Sequence, residues 1–373
     1  MTYLGKDIRK LGFGLMRLPM LGDEVDIEQT KQMVDLFMEA GFTYFDTAYG
    51  YLGGKSEKAA KTALVDRYPR ESFQLATKLP AWAGPKSAEE AKQMFYTSLE
   101  RTGAGYFDFY LLHNLGNERT KYFDDWKLWD FVMDLKQQGL IKHVGFSMHD
   151  DAEALEKILL AHPEAEFVQL QINYADWESE SVQSRKCYEV ARKYGKPVII
   201  MEPVKGGHLA KLPEKVAEPF EKLAPGVSHA SWAVRFGASL EGVLTVLSGM
   251  STLDQMKDNL LTMRDFQPLN EQEHAAVQEV LERLSAIERI PCTQCQYCVK
   301  DCPQQINIPG VFGCMNDLLV YGYENKAKGD YGFATSRGGK ARDCIACGQC
   351  EAACPQHINI IEQLQRCSAA LDS

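Results

Sequence analysis

Residues 1 to about 285 repeat one pattern of hydrophobic and polar positions. In each repeat, a short apolar run of β-prone residues precedes a polar turn and a longer amphipathic stretch with helical spacing. The apolar runs predict eight strands: Leu11–Met16, Thr43–Asp46, Phe73–Thr77, Phe107–Leu112, His143–Ser147, Phe167–Ile172, Val198–Met201 and Val243–Leu247. The amphipathic stretches predict eight helices, near residues 26–40, 56–66, 87–102, 124–138, 150–161, 178–194, 228–237 and 252–263.

This alternation predicts an α/β protein with a closed (β/α)8 TIM barrel, because eight strands with eight crossover helices suit a closed parallel sheet. An open doubly wound sheet is the alternative. It is weakened because no GxGxxG motif follows the first predicted strand, where Gly12 and Gly14 lack a third glycine. We therefore expect one barrel domain over residues 1–285, with a further helix near residues 270–287.

Cysteine is distributed unevenly along the chain. Only Cys187 of the eleven cysteines precedes Pro291, so the composition changes sharply there and predicts a second domain over residues 286–373. The first ten residues, MTYLGKDIRK, carry charges where a secretion signal needs an apolar core. We therefore expect a cytoplasmic protein whose cysteines ligate a metal or a cluster rather than form disulfides.

One cysteine motif occurs twice in the C-terminal region. The segments CTQCQYCVKDCP and CIACGQCEAACP both fit C-x2-C-x2-C-x3-C-P, the ligand spacing of four-iron, four-sulfur (4Fe-4S) clusters. In this motif three thiolates bind one cluster, and the fourth cysteine ligates the other cluster. The predicted ligand sets are therefore crossed: Cys292, Cys295, Cys298 and Cys354 for one cluster, and Cys344, Cys347, Cys350 and Cys302 for the other.

Tetrahedral zinc is the alternative occupant, but zinc sites use paired cysteines or histidines and need no third cysteine at this spacing. Cys187, Cys314 and Cys367 lie outside both motifs and are expected to be small buried apolar residues. Over about residues 290–362 the chain resembles the bacterial two-cluster ferredoxins. This resemblance implies a small C-terminal α+β ferredoxin-like domain with two 4Fe-4S clusters.

Two further elements are expected within this domain. A helix is predicted near residues 311–321. The following stretch, KAKGDYGFATSRGGKARD at residues 326–343, combines glycines with charges and predicts an exposed loop.

Four polar residue types follow three successive predicted strands. Asp46 and Tyr51 follow the second strand, Lys78 ends the third and His113 ends the fourth. Since the chemistry of a barrel lies at the carboxyl ends of its strands, we expect these side chains to converge. A tyrosine can protonate a developing alkoxide if a cation lowers its pKa from about 10, and Lys78 is that candidate cation. Asp46 would keep Lys78 charged and His113 would orient the carbonyl.

Each of these residues also has a purely structural interpretation. Asp46 and Lys78 could form an ion pair between strands, His113 could be a hydrogen-bonded core residue, and Tyr51 could be an ordinary loop aromatic. The four together, at successive strand ends, favour a catalytic site.

Seven segments of the barrel region resemble the aldo-keto reductase family over about residues 8–265. They are GFTYFDTAYGYLGGKSE, LATKLP, YLLHN, VGFSMHD, VQLQINYAD, MEPVKGG and LSGMSTLDQMKDNL. The resemblance implies that Tyr51, Lys78, Asp46 and His113 form a catalytic tetrad, with Tyr51 as the general acid and a nicotinamide nucleotide, NAD(P)H, as the hydride donor.

The resemblance also implies where this cofactor binds. Serine and glutamine hold the nicotinamide amide, a residue that is usually aromatic packs on the ring, glycines approach the phosphates, and an acidic residue and an asparagine meet the adenosine. The matching positions here are Ser147, Gln171, Met201, Gly206, Gly207, Gly249, Asp258 and Asn259. Gly249 and Gln255 stand where NADPH-binding members carry basic residues, so NADH is favoured over NADPH.

We therefore expect an anaerobe-type oxidoreductase that reduces a small aldehyde or ketone, or oxidises the alcohol, with an external ferredoxin or flavodoxin as electron partner. Nicotinamide passes two electrons as hydride, whereas each cluster passes one. A flavin such as FMN usually connects the two, yet no residue indicates one. Two other hypotheses stay open: a ferredoxin-linked flavin-dependent reductase, and a non-catalytic redox or oxygen-sensing protein on a barrel scaffold.

Charge and loop composition exclude some classes of partner but do not identify the substrate. The net charge of −10 is spread without long single-sign runs, which argues against nucleic acid or an anionic membrane as partner. No apolar run approaches the roughly 20 residues that span a bilayer. The loops at residues 82–86 and 116–121, which would shape a substrate pocket, carry no readable motif.

Overall fold

The computed structural model describes residues 4, 8–116, 119–180, 182–292, 294, 296–300, 302–354 and 356–372. The described strands are β1 Leu11–Gly14, β2 Met20–Leu21, β3 Glu24–Val25, β4 Tyr44–Asp46, β5 Gln74–Leu79, β6 Phe107–Leu115, β7 Ile141–Met148, β8 Phe167–Gln171, β9 Val198–Met201 and β10 Val243–Ser248.

The described α-helices are α1 Ile27–Glu39, α2 Lys55–Ala60, α3 Ala88–Thr102, α4 Thr120–Asp125, α5 Leu128–Gln137, α6 Ala152–Ala161, α7 Ser184–Lys193, α8 Glu214–Leu223, α9 His229–Ser239, α10 Leu253–Arg264, α11 Glu271–Ser285, α12 Tyr297–Lys300, α13 Ile308–Tyr321, α14 Glu324–Ala334, α15 Gln349–Ala352 and α16 Ile360–Leu371. Short 3-10 or π turns lie between several of them.

Eight of the described strands form a closed parallel barrel in the order β1-β10-β9-β8-β7-β6-β5-β4. Each of these strands overlaps one of the strands predicted from the sequence, so the predicted (β/α)8 fold is confirmed. The remaining strands, β2 and β3, form a short antiparallel pair outside the barrel.

The barrel interior is filled by apolar side chains, because alternate residues of each strand point inward. On β4, β5 and β6 the inward positions carry Tyr44, Ala76, Phe109 and Leu111, which belong to one buried cluster. Tyr44 and Phe109 meet edge to face, with ring centroids 5.0 Å apart. These apolar residues support the inward positions that follow on the same strands, at their carboxyl ends.

Several helices around the barrel begin at a capping side chain. Asp26, Ser87, Asp151 and Thr252 each accept a hydrogen bond from the backbone N–H three residues further on. Such caps satisfy amide groups that have no partner inside the helix, and each typically contributes about 1 kcal/mol. The caps explain why these helices begin close to their predicted starts.

Two predicted elements are wrong in detail. The single helix expected at residues 124–138 is split into α4 and α5, because Lys127 between them adopts a left-handed conformation with φ of 50°. The loop expected at residues 326–343 contains all but the first two residues of α14. That helix forms despite its glycines because it buries Ala327 and Tyr331 in an apolar core.

The chain divides into two compact units. The barrel unit comprises Met1–Gly206 and Ala230–Asn270, and the cysteine unit comprises Gly207–His229 and Glu271–Ser373. The regular elements assigned to the described residues after 285 are helices and a 3-10 turn. The domain boundary between residues 285 and 286 stays a prediction. In the part of the chain that the structure describes, no helix is long and apolar enough to cross a membrane.

Candidate active site and cysteine-lined cavities

Strand alternation carries Asp46 and Lys78 into the barrel mouth. Asp46 lies two residues beyond the inward-facing Tyr44, and Lys78 lies two residues beyond Ala76. The register pairs Asp46 with Ala76, so Lys78 lies two positions further along the adjacent strand and its side chain meets that of Asp46 at the strand ends. Both are almost completely buried and form an ion pair.

The Lys78 ammonium group has three N–H donors and three acceptors around it. It donates to the Asp46 carboxylate, to the Thr47 backbone oxygen at 2.8 Å and to the Tyr51 hydroxyl at 3.3 Å. Burial alone would lower the pKa of Lys78, but the charge of Asp46, together with Tyr51 and the hydrogen bonds to both groups, raises that pKa. Lys78 is therefore held as a cation against the Tyr51 hydroxyl.

Tyr51 is placed by a tight turn after β4. Its backbone N–H donates to Ala48 at 3.1 Å, and the next three residues all have positive φ. Gly54 has a φ of 88°, which favours glycine, and a Cβ there would lie 2.9 Å from a guanidinium nitrogen of Arg101. That guanidinium in turn donates to the Tyr49 backbone oxygen at 3.0 Å.

The predicted lowering of the Tyr51 pKa is wrong as a net effect. Burial raises the pKa of Tyr51 above its ordinary value of 10.0, while the nearby Lys78 charge lowers it by less. The hydroxyl consequently keeps its proton through the neutral range. Because that oxygen accepts from Lys78, its own O–H can donate to another group.

His113 completes the group of four from β6. Its ring lies 5.9 Å from that of Tyr51, measured between centroids, at an angle of 79°. Burial, followed by the charge of Lys78, lowers the pKa of His113 well below 6.5, so the imidazole is neutral. Its Nδ1 is buried without a hydrogen-bond partner among the described residues. The structure thus brings all four predicted residues together.

Two buried groups support this site. Gln169 on β8 donates from Nε2 to Asp46 Oδ2 at 3.4 Å. Behind the barrel wall, Glu57 accepts from the Thr77 hydroxyl at 2.8 Å and pairs with Arg101 at 3.3 Å. Neither Gln169 nor Glu57 was among the predicted site residues. The signal for Gln169 was present, since V-Q-L-Q places polar residues in a strand buried on both faces.

The cysteine unit contains two cavities lined by cysteines. One cavity is lined by Cys292, Cys298 and Cys354, and the other by Cys302, Cys344, Cys347 and Cys350. Cys295 lies outside the described residues.

The remaining lining of both cavities is mostly apolar. Ile308 contributes to both, with Phe312 and Ile360 in the first and Ile306 and Leu364 in the second. The fourth cysteine of each motif therefore lines the cavity of the other motif. Thiolate ligands in an apolar shell suit an iron-sulfur cluster, so the donor set fits this group.

The comparisons with known proteins decide the family. The model of the aldo/keto reductase family matches residues 10–282. The chain belongs to the aldo/keto reductase family. A model of a 4Fe-4S dicluster domain matches residues 291–359, which confirms that an aldo/keto reductase barrel is followed by an iron-sulfur domain.

This aldo/keto reductase is similar to characterised and uncharacterised relatives. An aldo-keto reductase of Mycolicibacterium smegmatis is 31% identical over 146 residues, 38% of this chain, and the matched stretch spans about half, 48%, of that relative. The uncharacterized oxidoreductase YqkF of Bacillus subtilis is 24% identical, covering 68% of this chain and 87% of YqkF. The holo structure of aldo-keto reductase AKR11C1 from Bacillus halodurans is 25% identical, with a TM-score of 0.58, covering 74% and 94%.

The predicted nicotinamide positions follow the ends of β7, β8 and β9. The Ser147 hydroxyl accepts from the Asn114 backbone N–H at 2.9 Å and still has its own proton to donate. Gln171 donates to Asp176 at 3.2 Å and lies 3.1 Å from a His149 ring nitrogen. Met201 is partly buried and packs against the apolar cluster of the barrel interior.

The predicted phosphate and adenosine positions follow β9 and β10. Gly206 and Gly207 both have positive φ, of 62° and 103°, which glycine adopts without strain. Asn259 is buried, and its Oδ1 has no hydrogen-bond partner among the described residues, so it can accept from a nucleotide base. Asp258 lies in the same helix, α10.

Arg17 is a cation that sequence reasoning missed. It follows β1, and a Cβ built on Gly249 would lie 3.4 Å from its side chain. The aliphatic carbons of the Arg17 side chain thus lie beside the segment that was expected to lack a basic residue. The first strand gave no signal for this contact, because Arg17 and Gly249 are distant in sequence and meet only when the barrel closes.

Proposed function

We propose that the protein is an NAD(P)-dependent oxidoreductase that reduces an aldehyde or ketone, or oxidises the alcohol, with Tyr51 as the general acid. The observation that carries this proposal is the arrangement around Lys78. Its ammonium donates to the Tyr51 hydroxyl at 3.3 Å while Asp46 keeps it charged. This geometry stabilises the tyrosinate that forms when Tyr51 gives its proton to the carbonyl oxygen.

His113 is proposed to position the carbonyl. A neutral imidazole can donate one hydrogen bond to an oxygen, and the low pKa of His113 keeps it neutral in the reactive range. Its ring lies beside that of Tyr51, so both can address the same carbonyl oxygen. In alcohol oxidation the same tyrosine would act in the reverse direction, as the base.

The cofactor is proposed to bind across the ends of the strands that carry Ser147, Gln171 and Met201, with Gly206, Gly207 and Gly249 at the phosphates and Asp258 and Asn259 at the adenosine. When bound, a reduced nicotinamide supplies the hydride. The buried Oδ1 of Asn259 supports a nucleotide there. Arg17 beside Gly249 is a cation that could bind the 2′-phosphate of NADPH. The preference for NADH therefore stays a prediction.

The cysteine unit is proposed to hold two 4Fe-4S clusters in the crossed arrangement, with Cys295 as a further ligand of the first. Each cluster, when bound, carries one electron at a time. We propose a ferredoxin or flavodoxin as the external electron partner. The cavity linings support the crossed ligand sets, because each cavity contains one cysteine from the distant motif.

The test of the general acid is Tyr51→Phe, with Tyr49→Phe as the control that removes a neighbouring hydroxyl. Reduction of benzaldehyde by NADH or NADPH should fall by about 10²–10⁴-fold in Tyr51→Phe, since positioned proton transfer contributes that much. Tyr49→Phe should retain it, and the cluster absorbance of both should equal that of the wild type. Unchanged turnover in Tyr51→Phe would remove Tyr51 from the mechanism. Yellow flavin released on denaturation would favour the flavin-dependent alternative.

A further inference from the structure

A further cation after the end of β6, Arg119, is not used by the proposed chemistry. Arg119 lies just before α4, after the end of β6, and is partly buried. Its guanidinium lies over the Trp82 ring, 5.1 Å from the centroid. One of its nitrogens is 3.4 Å from the Asn114 backbone oxygen. These contacts fix the head group at the rim of the site.

Trp82 connects Arg119 to the reacting end of the mouth. Its indole N–H donates to the His113 backbone oxygen at 2.7 Å, and its ring lies 6.4 Å from the His113 ring. The charge of Arg119 is one of those that lower the pKa of His113, which agrees with this proximity. A group bound by Arg119 would therefore belong to a molecule whose carbonyl reaches His113.

Among the described residues, no carboxylate forms an ion pair with Arg119. Two other cations that follow barrel strands differ in this respect, since Lys78 is paired with Asp46 and Lys205 with Asp176. In a chain of net charge −10, a partly buried guanidinium with free donors is suited to binding an anion.

The charge of Glu202 indicates on which side of the barrel mouth an anionic group of the substrate would lie. Glu202 follows β9, three strands away from β6 around the barrel, and its charge acts on Tyr51, where it raises the pKa. An anionic substituent would be repelled on that side and attracted on the β6 side. The substrate would lie with its carbonyl at Tyr51 and His113 and its anionic group towards Arg119.

We propose that Arg119 binds an anionic oxygen group of the substrate, a carboxylate or a phosphate, so that the enzyme prefers anionic carbonyl compounds over neutral ones. This inference rests on the proposed carbonyl reduction and deepens it. The guanidinium presents a planar pair of N–H donors that matches both kinds of group, and Trp82 holds that plane in place.

The test compares matched substrates on the full chain with its clusters, purified without oxygen. One pair is 4-carboxybenzaldehyde and its neutral methyl ester, and the other is glyceraldehyde 3-phosphate and glyceraldehyde. The wild type should favour the anionic member of at least one pair by about 10- to 100-fold in kcat/KM, as expected for a charge-assisted hydrogen bond. The pair that shows the preference identifies the carboxylate or the phosphate.

Arg119→Gln should remove this preference while leaving kcat/KM for the neutral substrates within about twofold, because the loss is confined to charged-group binding. Arg119→Lys should retain part of it, since the charge stays but the planar pair of donors is lost. The control is Arg185→Gln, which removes an exposed guanidinium on α7 that is paired with Glu178 and Glu189. It should keep the wild-type preference.

The outcomes separate the two proposals. Equal kcat/KM for both members of both pairs in the wild type, or a preference that survives Arg119→Gln, would overturn the inference while carbonyl reduction through Tyr51 stands. A loss of preference in Arg185→Gln as well would also overturn it, because the effect would then belong to net charge. Failure to reduce even the neutral aldehydes would count against the proposed function itself.

Discussion

The barrel mouth and the cysteine cavities assemble their reactive groups in different ways. Asp46, Tyr51, Lys78 and His113 come from three strands and the loops after them, and they meet because the barrel closes. The cysteines of each cavity come mostly from one short motif, with a single residue from the other. The mouth therefore depends on long-range strand register, whereas the cavities depend mainly on local spacing.

The two sites also handle buried charge differently. In the mouth, a carboxylate and an ammonium are buried together, and each keeps the other ionised. In the cysteine unit, burial raises the pKa of Cys350 to about 11, so its thiol stays protonated until a metal replaces the proton. The mouth thus balances its buried charges within the chain, whereas the buried cysteines would be balanced as thiolates only by the proposed clusters.

The largest expected effect concerns the crossed ligand sets. Cys302→Ser combined with Cys350→Ser removes two ligands of the same proposed cluster, so about half of the iron and one reduced-cluster EPR signal should remain. Cys302→Ser combined with Cys298→Ser removes one ligand from each cluster and should lose both signals. Iron and sulfide analysis with EPR after dithionite reduction measures the difference.

The control for these variants is Cys314→Ser, a buried cysteine of α13 that lines neither cavity. It should retain both signals. If the Cys302/Cys298 pair kept one cluster and the Cys302/Cys350 pair kept none, each motif would bind its own cluster. Cluster binding would then depend on local spacing alone, with no cysteine from the distant motif.

The spacing motif made the grouping of the cysteines predictable, since four residues within eleven positions are close along the chain. The convergence of Asp46, Tyr51, Lys78 and His113 was predictable by a weaker rule, that chemistry lies at strand ends. Gln169 and Arg119 were not predicted, because their roles follow from neighbours that are distant in sequence. The closed barrel itself needed only the repeated alternation of apolar runs and amphipathic stretches.

The α14 helix illustrates where local patterns mislead. Gly329 and Gly332 lower its intrinsic helix propensity, and the sequence there indicates a loop. Tertiary contacts decide otherwise: the Tyr331 hydroxyl donates to Asp372 at 2.8 Å and accepts from the Ala341 N–H at 2.8 Å. Packing partners of this kind are invisible in a short sequence window.

The second-largest expected effect concerns the buried ion pair of the barrel mouth, between Lys78 and Asp46. Lys78→Met leaves the Asp46 carboxylate buried without its cation, which should lower the free energy of unfolding of the barrel by about 3–5 kcal/mol. The double variant Lys78→Met/Asp46→Leu should regain most of this stability but no carbonyl reduction. All five tryptophans lie in the barrel unit, so their fluorescence during urea unfolding measures this unit.

Arg70→Met provides a matched control at the opposite end of the barrel. Arg70 pairs with the buried Asp108 at 2.6 Å, so its loss should also destabilise the barrel. It should leave kcat of the folded protein unchanged, because that pair lies away from the strand ends that carry the tetrad. Equal stability of Lys78→Met and the wild type would mean that the mouth does not depend on its ion pair.

The smallest expected effect concerns Gln169 and the pH dependence of the mouth. Burial raises the pKa of Asp46, while the hydrogen bond from Gln169 lowers it. Activity needs the ionised carboxylate, so it should be lost as the pH falls through this pKa. Gln169→Leu removes a hydrogen bond worth about 1 kcal/mol and should therefore move the acid limb of kcat/KM upward by somewhat less than one pH unit.

The alkaline side of the same profile should stay unchanged in Gln169→Leu, because Tyr51 keeps its raised pKa and its contact with Lys78. Gln74→Leu is the matched control: Gln74 accepts from the Thr43 hydroxyl at 2.6 Å at the start of β5, away from the mouth. It should leave both limbs in place. An acid limb that shifted equally in both variants would show that barrel stability, rather than the Asp46 carboxylate, limits activity at low pH.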